Sequence, residues 1–570
     1  MLHHSVIMSD LETIIRKHSL KNALDYGKAN PGSVAGKVIA EYPDSKKDMK
    51  ATMRAISESI AQISKMDKKD IEKELSKYEF AEKPKEEKKG ISVEGAEMGK
   101  VVVRYPPEPN GWPHIGHAKA FCLSWSIAHN YNGKVILRWD DTNPEAEKSE
   151  FVDAIKEGIK WLGLDYHEEK FCSDYIPDMY GLCEKLLNDG DAYACSCTQE
   201  EISLGREKAF RCSHGSHPAS KNLEVWKKML AGSVPQGGSV IRLKGDMESQ
   251  NTVMRDPTLF RIITATHYRQ NSKYKVWPTY DFQGPVMDSL LGITHPIRSK
   301  EYELRDELYI FLLQKLGLRV PKMLTISRLE IKNAPISKRL LRPLVEEGKL
   351  MGYDDPRLPT LAGLGRKGIL PEAIRNFVLS FGLSKVESEP DWEALLVENR
   401  KLLDPISNRY FFVPDPVRLI VKDGPREKVR LKLHPKQDRG FREVDVGEAF
   451  YVSQADVDGM QKDEKFRLKD LFDVEIVENG EVLEGKFAGN EKVSKKIQWV
   501  GEDKLICDIL VPGDLLKDGK FNPDSLKTVR GYCEASCGKL GIGDIIQFER
   551  FGFVRLDGKT DDKLTFIYCC

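Results

Sequence analysis

RYPPEPNGWPHIGHAKA, residues 104–120, decides the fold of this 570-residue chain. The stretch begins inside the apolar run VVVRYP, which predicts a buried strand, and continues into the helical pattern of HIGHAKAFCLSWSIAHN. KVILRWDD at 134–141 predicts a second buried strand, followed by a helix capped by Ser149 and ending near Leu164. A strand, a helix and a second strand in this order predict the βαβ unit of a parallel, doubly wound sheet.

Two histidines, His114 and His117, lie where the first predicted strand leads into the first helix. In a doubly wound sheet, the phosphates of a nucleotide meet the helix amides at this place. Two imidazoles one helical turn apart can donate hydrogen bonds to the same phosphate oxygens, and Gly116 would let an adenine ring lie against bare backbone. The pattern therefore predicts a nucleotide site, the alternative being packed residues at a helix start.

Length and composition limit the class of protein. A chain of this length exceeds one hydrophobic core, so we expect roughly three to five domains. Since it contains no run of ~18 apolar residues and no export signal, we expect a cytoplasmic protein without a membrane partner. Lys+Arg and Asp+Glu both number 88, so the overall charge neither indicates nor excludes a nucleic-acid partner.

The eleven cysteines are an odd number and predict reduced thiols, with Cys569 and Cys570 in an exposed tail.

A second motif, ISKR at 336–339, lies more than two hundred residues after HIGH. The pair resembles the HIGH and KMSKS signatures of class I aminoacyl-tRNA synthetases, and RYPPEPNGWPHIGHAKA is similar to their glutamyl/glutaminyl branch. Ile336 and Arg339 depart from KMSKS in a form found in that branch, while Lys338 is retained. The resemblance extends through RWDDTNP (138–144), TYDF (279–282), GITHPIRSKEY (292–302), SRLEIKNAPISKR (327–339) and DIIQFERFGFVRLD (544–557).

The resemblance implies a site for ATP with Mg²⁺. His114, His117 and Lys338 would be catalytic, with Lys338 on a mobile loop that supports the triphosphate as pyrophosphate leaves. No general base is required, because an ionised substrate carboxylate attacks the α-phosphorus itself. The implied ATP-binding residues are Pro109, Asn110, His114, Gly116, His117, Arg328, Leu329, Ser337, Lys338 and Arg339.

The resemblance also places an amino-acid pocket. Arg104 and Tyr280 would face the substrate side chain, and Asp140 would pair with its α-ammonium. Glutamyl enzymes carry arginine at the position of Arg298, whereas glutaminyl enzymes carry an uncharged residue. A guanidinium there can bind a γ-carboxylate through two hydrogen bonds, which favours glutamate. The alternative is that Arg298 lies on the surface or contacts phosphate.

Cys195, Cys197, Cys212 and His214 supply four ligands in two close pairs, a spacing that suits tetrahedral zinc. Such an ion would be structural and distant from the reacting phosphate. Simple burial of reduced cysteines is the alternative, and His217 competes with His214 for the fourth position.

The predicted fold is a multidomain α/β and β protein. Residues 1–95 form a helical appendage, opened by a capping box of Ser9 and Glu12 and closed by the charged linker EKPKEEKK. By resemblance, 96–190 and 276–345 are the two halves of a Rossmann-like catalytic core, 191–275 an inserted acceptor-stem-binding domain, and 346–410 a helical connector. Beyond about Tyr410 the pattern predicts antiparallel β structure in sandwiches or barrels, since Val429, Leu431 and Leu433 alternate with polar residues and Asp557-Gly558 marks a turn. By resemblance, residues 411–570 would be two antiparallel anticodon-binding β-barrels. Within that branch, this β-rich end resembles the archaeal or eukaryotic type of enzyme, since the anticodon region of bacterial glutamyl enzymes is helical.

The expected activity is glutamate–tRNA ligation, in which ATP and L-glutamate form a glutamyl-adenylate and tRNA-Glu accepts the acyl group with release of AMP. The sequence leaves open whether tRNA-Gln is also charged and whether the appendage binds a protein partner or tRNA. Three alternatives remain: a glutaminyl enzyme, a retired paralogue serving as an RNA-binding scaffold, and another HIGH-bearing nucleotidyltransferase. The last class lacks the long β-rich tail.

Overall fold

The computed structural model describes residues 2–26, 29–78, 91–335, 337–387, 389–491 and 493–570, without the side chains of 2–9, 25, 26, 40, 68, 69 and 338. The predicted linker at 82–89 and Ile336 therefore lie outside the described residues. The chain divides into two compact units, Met1–Lys89 and Gly90–Cys570. No helix in the described ranges is long and apolar enough to cross a membrane.

The first unit is helical, with α1 Leu2–Tyr26, α2 Pro31–Glu41, α3 Met49–Ile63, α4 Lys68–Leu75 and a 3₁₀ helix at Pro43–Asp48. Side chains of Asn30, Asp48 and Asp67 cap α2, α3 and α4 by accepting a backbone N–H bond. The predicted cap at Ser9 is wrong, because α1 already begins at Leu2.

The second unit opens with a parallel sheet, which confirms the predicted βαβ unit. Its strands pair in the order β1-β2-β3. The sheet and its connecting helices consist of β1 Val102–Tyr105, α5 Ile115–Asn130, β2 Lys134–Trp139, α6 Ser149–Trp161 and β3 Glu168–Phe171. The sheet and α5 enclose a core that includes Val103, Tyr105 and Leu137. Ser149 is the first residue of α6 rather than its cap, and the helix ends at Trp161.

An antiparallel sheet, β4-β5-β6-β7, is inserted next around the buried Trp226 and Trp277. This segment comprises α7 Ile176–Asn188, β4 Ala192–Cys195, α8 Gln199–Glu207, α9 Ala219–Leu230, β5 Val240–Leu243, β6 Thr258–Ile262, β7 Val276–Pro278 and α10 Tyr280–Leu290. The chain then returns to β1, because Thr294 and Val102 exchange hydrogen bonds of 2.8 Å.

Two parallel strands, β8 Ile297–Ser299 and β9 Leu324–Ile326, complete this region on either side of α11 Asp306–Leu316. Four helices follow, α12 Lys338–Glu346, α13 Leu361–Lys367, α14 Pro371–Leu379 and α15 Trp392–Leu403. Thr360 caps α13, and Gly368 ends it at φ 90°, a conformation that favours glycine.

The last third of the chain is β-rich, with one six-stranded and one seven-stranded sheet. The edge strands of the seven-stranded sheet are β10 and β11, which only Phe411 separates, so this sheet nearly closes into a barrel. Its strands are β10 Arg409–Tyr410, β11 Phe412–Pro414, β20 Lys504–Pro512, β23 Leu526–Glu534, β24 Ile545–Phe548, β25 Gly552–Lys559 and β26 Lys563–Tyr568.

The six-stranded sheet has the order β15-β12-β18-β17-β16-β19. Tyr451 on one edge strand pairs with Val500, just beyond the other edge strand. The remaining elements are β12 Pro416–Lys422, β13 Lys428–Lys432, β14 Phe441–Asp445, β15 Ala449–Ser453, α16 Gln454–Val457, β16 Lys465–Leu468, β17 Asp473–Asn479, β18 Leu483–Phe487, β19 Lys496–Ile497, β21 Leu516–Lys517 and β22 Lys520–Phe521.

Three predictions for this β-rich end are wrong. The sheets are not wholly antiparallel, because β10–β24, β12–β18, β16–β19 and β20–β26 pair in parallel. Asp557-Gly558 is not the turn: it lies within β25 at a shift of register, and the chain reverses after Lys559. Cys569 and Cys570 are buried against Leu403 and Phe553 rather than exposed.

Candidate functional site

A cavity of about 380 Å³ opens where the parallel strands end and α5 begins. This is the crevice in which doubly wound sheets bind their ligands. Ten of the predicted site residues line it, namely Arg104, Asn110, His114, Gly116, His117, Asp140, Tyr280, Arg298, Arg328 and Leu329. Pro109, Ser337 and Arg339 do not line it, and the side chain of Lys338 lies outside the described residues.

His114 and His117 form a capping box at the start of α5. The Nδ1 atom of His114 accepts the N–H of Gly116 at 3.1 Å, and Nδ1 of His117 accepts the N–H of His114 at 3.3 Å. Because each Nδ1 is an acceptor, the proton of each neutral ring lies on Nε2. Burial lowers the pKa of His117 to about 4 and the pKa of His114 well below its usual value. Both rings are therefore neutral hydrogen-bond donors near neutral pH.

The chain after α12 holds this helix start in place. Ile115 donates its N–H to Pro359 O at 2.9 Å, and Leu361 donates to Pro113 O at 2.8 Å. A Cβ atom on Gly116 would lie 2.9 Å from Cε1 of His114 and 3.3 Å from the carbonyl oxygen of Leu329. Glycine is therefore the residue that fits this close approach.

Lys119 is a site residue that the sequence analysis missed. Its ammonium group is buried and donates to the carbonyl oxygen of Ser327 at 2.7 Å and to its Oγ at 2.9 Å. Lys119 thereby fixes the segment after β9 that continues into Arg328 and Leu329. A lysine on the buried side of an otherwise apolar helix could have indicated this role.

A buried network of alternating charge supports two further residues of the cavity lining, Arg104 and Asp140. Asp288, which the sequence analysis also missed, accepts from Nε of Arg104 and from Nη1 of Arg138, both at 2.6 Å. Arg138 in turn donates to both oxygens of Asp140, at 2.7 and 3.0 Å. Burial alone would raise the pKa of Asp288, but the two guanidinium groups hold it below its usual value. Arg104 and Asp140 are thus fixed in position before any ligand binds.

Arg298 lies on the cavity wall and is 5% exposed, so it is not a surface residue. Its Nη1 donates to Asp306 at 2.6 Å, whereas its buried Nε has no hydrogen-bond partner among the described residues. The rings of Tyr280, Tyr302 and Tyr309 surround the guanidinium at 5.1–5.9 Å. A guanidinium on a cavity wall, with a single carboxylate partner among the described residues, indicates a site for an anionic ligand.

The predicted metal ligands converge as a second site. The Sγ atoms of Cys195 and Cys212 lie 3.7 Å apart, and Nδ1 of His214 lies 3.4–3.9 Å from the three sulfurs of Cys195, Cys197 and Cys212. With Zn–S bonds of about 2.3 Å and a Zn–N bond of about 2.0 Å, tetrahedral edges are about 3.8 and 3.5 Å. The four atoms therefore have the dimensions of a zinc site. His217 packs beside the ring of His214 and is not part of the cluster.

Comparison with known proteins gives three family matches. Residues 100–405 match tRNA synthetases class I (E and Q), catalytic domain, and residues 407–489 and 496–557 match two anti-codon binding domains of that family. The glutamate–tRNA ligase of Nitrosopumilus maritimus is 42% identical, over 97% of this chain and 98% of its own length. That of Pyrococcus furiosus is 37% identical, over 98% and 99%.

Proposed function

Because this chain belongs to the class I (E and Q) family of tRNA synthetases, we propose that it ligates L-glutamate to tRNA-Glu at the expense of ATP. The reaction passes through a glutamyl-adenylate and releases pyrophosphate and AMP. The observation that carries the choice of amino acid is the guanidinium of Arg298, which lies on the cavity wall and has one carboxylate partner, Asp306, among the described residues. The γ-carboxylate of glutamate is an anionic acceptor for this guanidinium, whereas the γ-amide of glutamine offers one acceptor and one unmatched donor.

The remaining pocket residues accommodate the rest of the amino acid. The carboxylate of Asp140 pairs with the α-ammonium group of glutamate. Arg138 holds this carboxylate, as does Nε2 of Gln283 at 3.0 Å. Arg104 is oriented by Asp288 and by the carbonyl oxygen of Ile297. We therefore assign Arg104, Asp140, Tyr280 and Arg298 to glutamate.

In the first step, the α-carboxylate of glutamate attacks the α-phosphorus of ATP, and the P–O bond to pyrophosphate breaks. His114 and His117 donate their Nε2–H groups to the phosphate oxygens on which charge develops. Bound together with ATP, Mg²⁺ would supply further positive charge for these oxygens, and the carboxylates of Glu108 and Glu301 line the same cavity. We place Lys338, at the start of α12, on the leaving pyrophosphate.

The cluster of Cys195, Cys197, Cys212 and His214 is proposed to bind structural zinc. Nη1 of Arg242 lies 4.0 Å from two of the sulfurs, and Oγ of Ser196 lies 3.0 Å from Nε2 of His214. These contacts balance the thiolate charge and orient the imidazole. Elemental analysis should find one zinc per chain, and a Cys195→Ser/Cys212→Ser protein should lose it. Metal-free wild-type protein of unchanged stability would contradict the assignment.

We propose anticodon binding for 411–570, which the two anti-codon binding domain matches support. We also propose acceptor-stem binding for 191–275, a segment within the matched catalytic domain. We also propose a cytoplasmic location, a compartment in which thiols are kept reduced. Transfer of labelled glutamate to purified tRNA-Glu tests the proposal, and transfer to tRNA-Gln in a parallel assay decides whether that tRNA is also a substrate. Binding of tRNA without any acylation would instead support a retired RNA-binding scaffold.

A further inference from the structure

A two-stranded antiparallel ribbon, β13 paired with β14, forms a sheet of its own in the β-rich part of the chain. The pairs Lys428–Asp445, Arg430–Glu443 and Lys432–Phe441 lie directly across from each other, and all six of these residues are exposed. The alternate residues Leu431 and Arg442 are buried. The ribbon therefore has one inner face and one outer face.

The outer face carries an exposed aromatic residue with a cation above it. Phe441 is 47% exposed, and the guanidinium carbon of Arg430 lies 4.7 Å from its ring centroid. Glu443 is the direct cross-strand partner of Arg430, yet within the described residues Arg430 has no ion pair and stacks on Phe441 instead. The stack leaves a planar cation available for a flat, electron-rich or anionic partner.

The ribbon is held rigidly from below. Buried Arg442 donates through Nε to both carboxylate oxygens of Glu534, at 2.9 and 2.7 Å, and through Nη1 to the carbonyl oxygen of Lys432 at 2.6 Å. At the tip, Nε2 of His434 donates to the carbonyl oxygen of Asp404 at 2.9 Å. A rigid platform loses little entropy on binding, so an exposed Phe441 on such a support fits a recognition surface better than a mobile loop.

We propose that the Arg430–Phe441 stack is a platform for an unpaired base in the anticodon arm of tRNA, with Lys432 contacting the adjacent backbone phosphate. The inference rests on the proposed function and specifies a surface for its RNA partner. The ribbon lies within residues 407–489, which match an anti-codon binding domain. Single-stranded nucleic acid is bound by this combination of stacking ring, planar cation and neighbouring lysine.

Fluorescence anisotropy with full-length tRNA-Glu and with an acceptor-stem minihelix that lacks the anticodon arm tests the proposal. Phe441→Ala should raise the Kd for full-length tRNA ~5- to 100-fold and leave the Kd for the minihelix unchanged. Phe441→Trp should restore binding, because it keeps a stacking ring. Val477→Ala is the matched control, since Val477 is also exposed but lies on β17.

An unchanged Kd for full-length tRNA in Phe441→Ala, or an equal loss for the minihelix, would overturn the proposal. Both substituted side chains are exposed, so thermal unfolding should be unaffected. Binding is measured without acylation: a wild-type enzyme that fails to charge tRNA would refute the proposed function, while the anisotropy experiment would still report on the platform.

Discussion

Substitution of Arg298 by cysteine should remove glutamate activation while the fold survives. In the wild-type protein, Nη1 of Arg298 is bound to Asp306, and we assign the remainder of this cavity-lining guanidinium to the γ-carboxylate. In Arg298→Cys, that carboxylate would enter a site with three tyrosine rings, in which the remaining cation, Arg104, is already paired with Asp288. An unpaired buried charge costs about 2–5 kcal/mol, which corresponds to a roughly 30- to 4000-fold fall in kcat/KM for glutamate.

The assay is glutamate-dependent ATP–pyrophosphate exchange in the presence of tRNA, with thermal unfolding as a check on the fold. Arg305→Cys is the matched control, because Arg305 pairs with Asp281 but does not line the cavity. The KM for ATP should change less than about twofold in both variants, since neither guanidinium is assigned to the nucleotide. Unchanged glutamate kinetics in Arg298→Cys, or an equal loss in the control, would refute the reasoning.

Three further outcomes follow from the site and its surroundings. Lys119→Met should raise the KM for ATP about tenfold, because Ser327 loses both bonds that fix the nucleotide-binding segment; an unchanged KM in the exchange assay would contradict this. Asp306→Asn should raise the KM for glutamate several-fold by weakening the charged contact to Arg298, and Asp306→Glu should recover part of it. Burial raises the pKa of Glu147 from 4.5 to about 8, so the folded state retains a proton that the unfolded state releases, and wild-type stability should fall as pH rises through this window. In Glu147→Gln, the melting temperature should fall less steeply between pH 5 and 8 than it does in the wild-type protein. Equal slopes of melting temperature against pH in the two proteins would contradict this prediction.

The elements that the sequence predicts well have a strong local signal. The parallel strands β1 and β2 lie in mostly apolar stretches, and the HIGH motif marks the start of α5 through its own side chains. Turns and caps were predicted less well, because several local solutions compete. An Asp-Gly pair forms the turn of many hairpins. In this chain Asp557-Gly558 instead lies at a register shift within β25, and the chain reverses direction after Lys559.

The sequence does not identify residues whose role depends on contact with a residue far away along the chain. Asp288 is 184 positions from Arg104, and only the folded chain shows that one carboxylate orients both Arg104 and Arg138. Burial of Cys569 and Cys570 likewise depends on packing against Leu403 and Phe553, which no local pattern predicts. By contrast, the four metal ligands lie within twenty residues of one another, so their spacing alone indicated the cluster.

The most direct test of the account compares glutamate and glutamine in parallel ATP–pyrophosphate exchange assays, with and without each tRNA. The buried cation of Arg298 predicts exchange with glutamate and at least a hundredfold lower kcat/KM with glutamine. Exchange supported by glutamine alone would show that this guanidinium does not select the substrate, and would contradict the assignment.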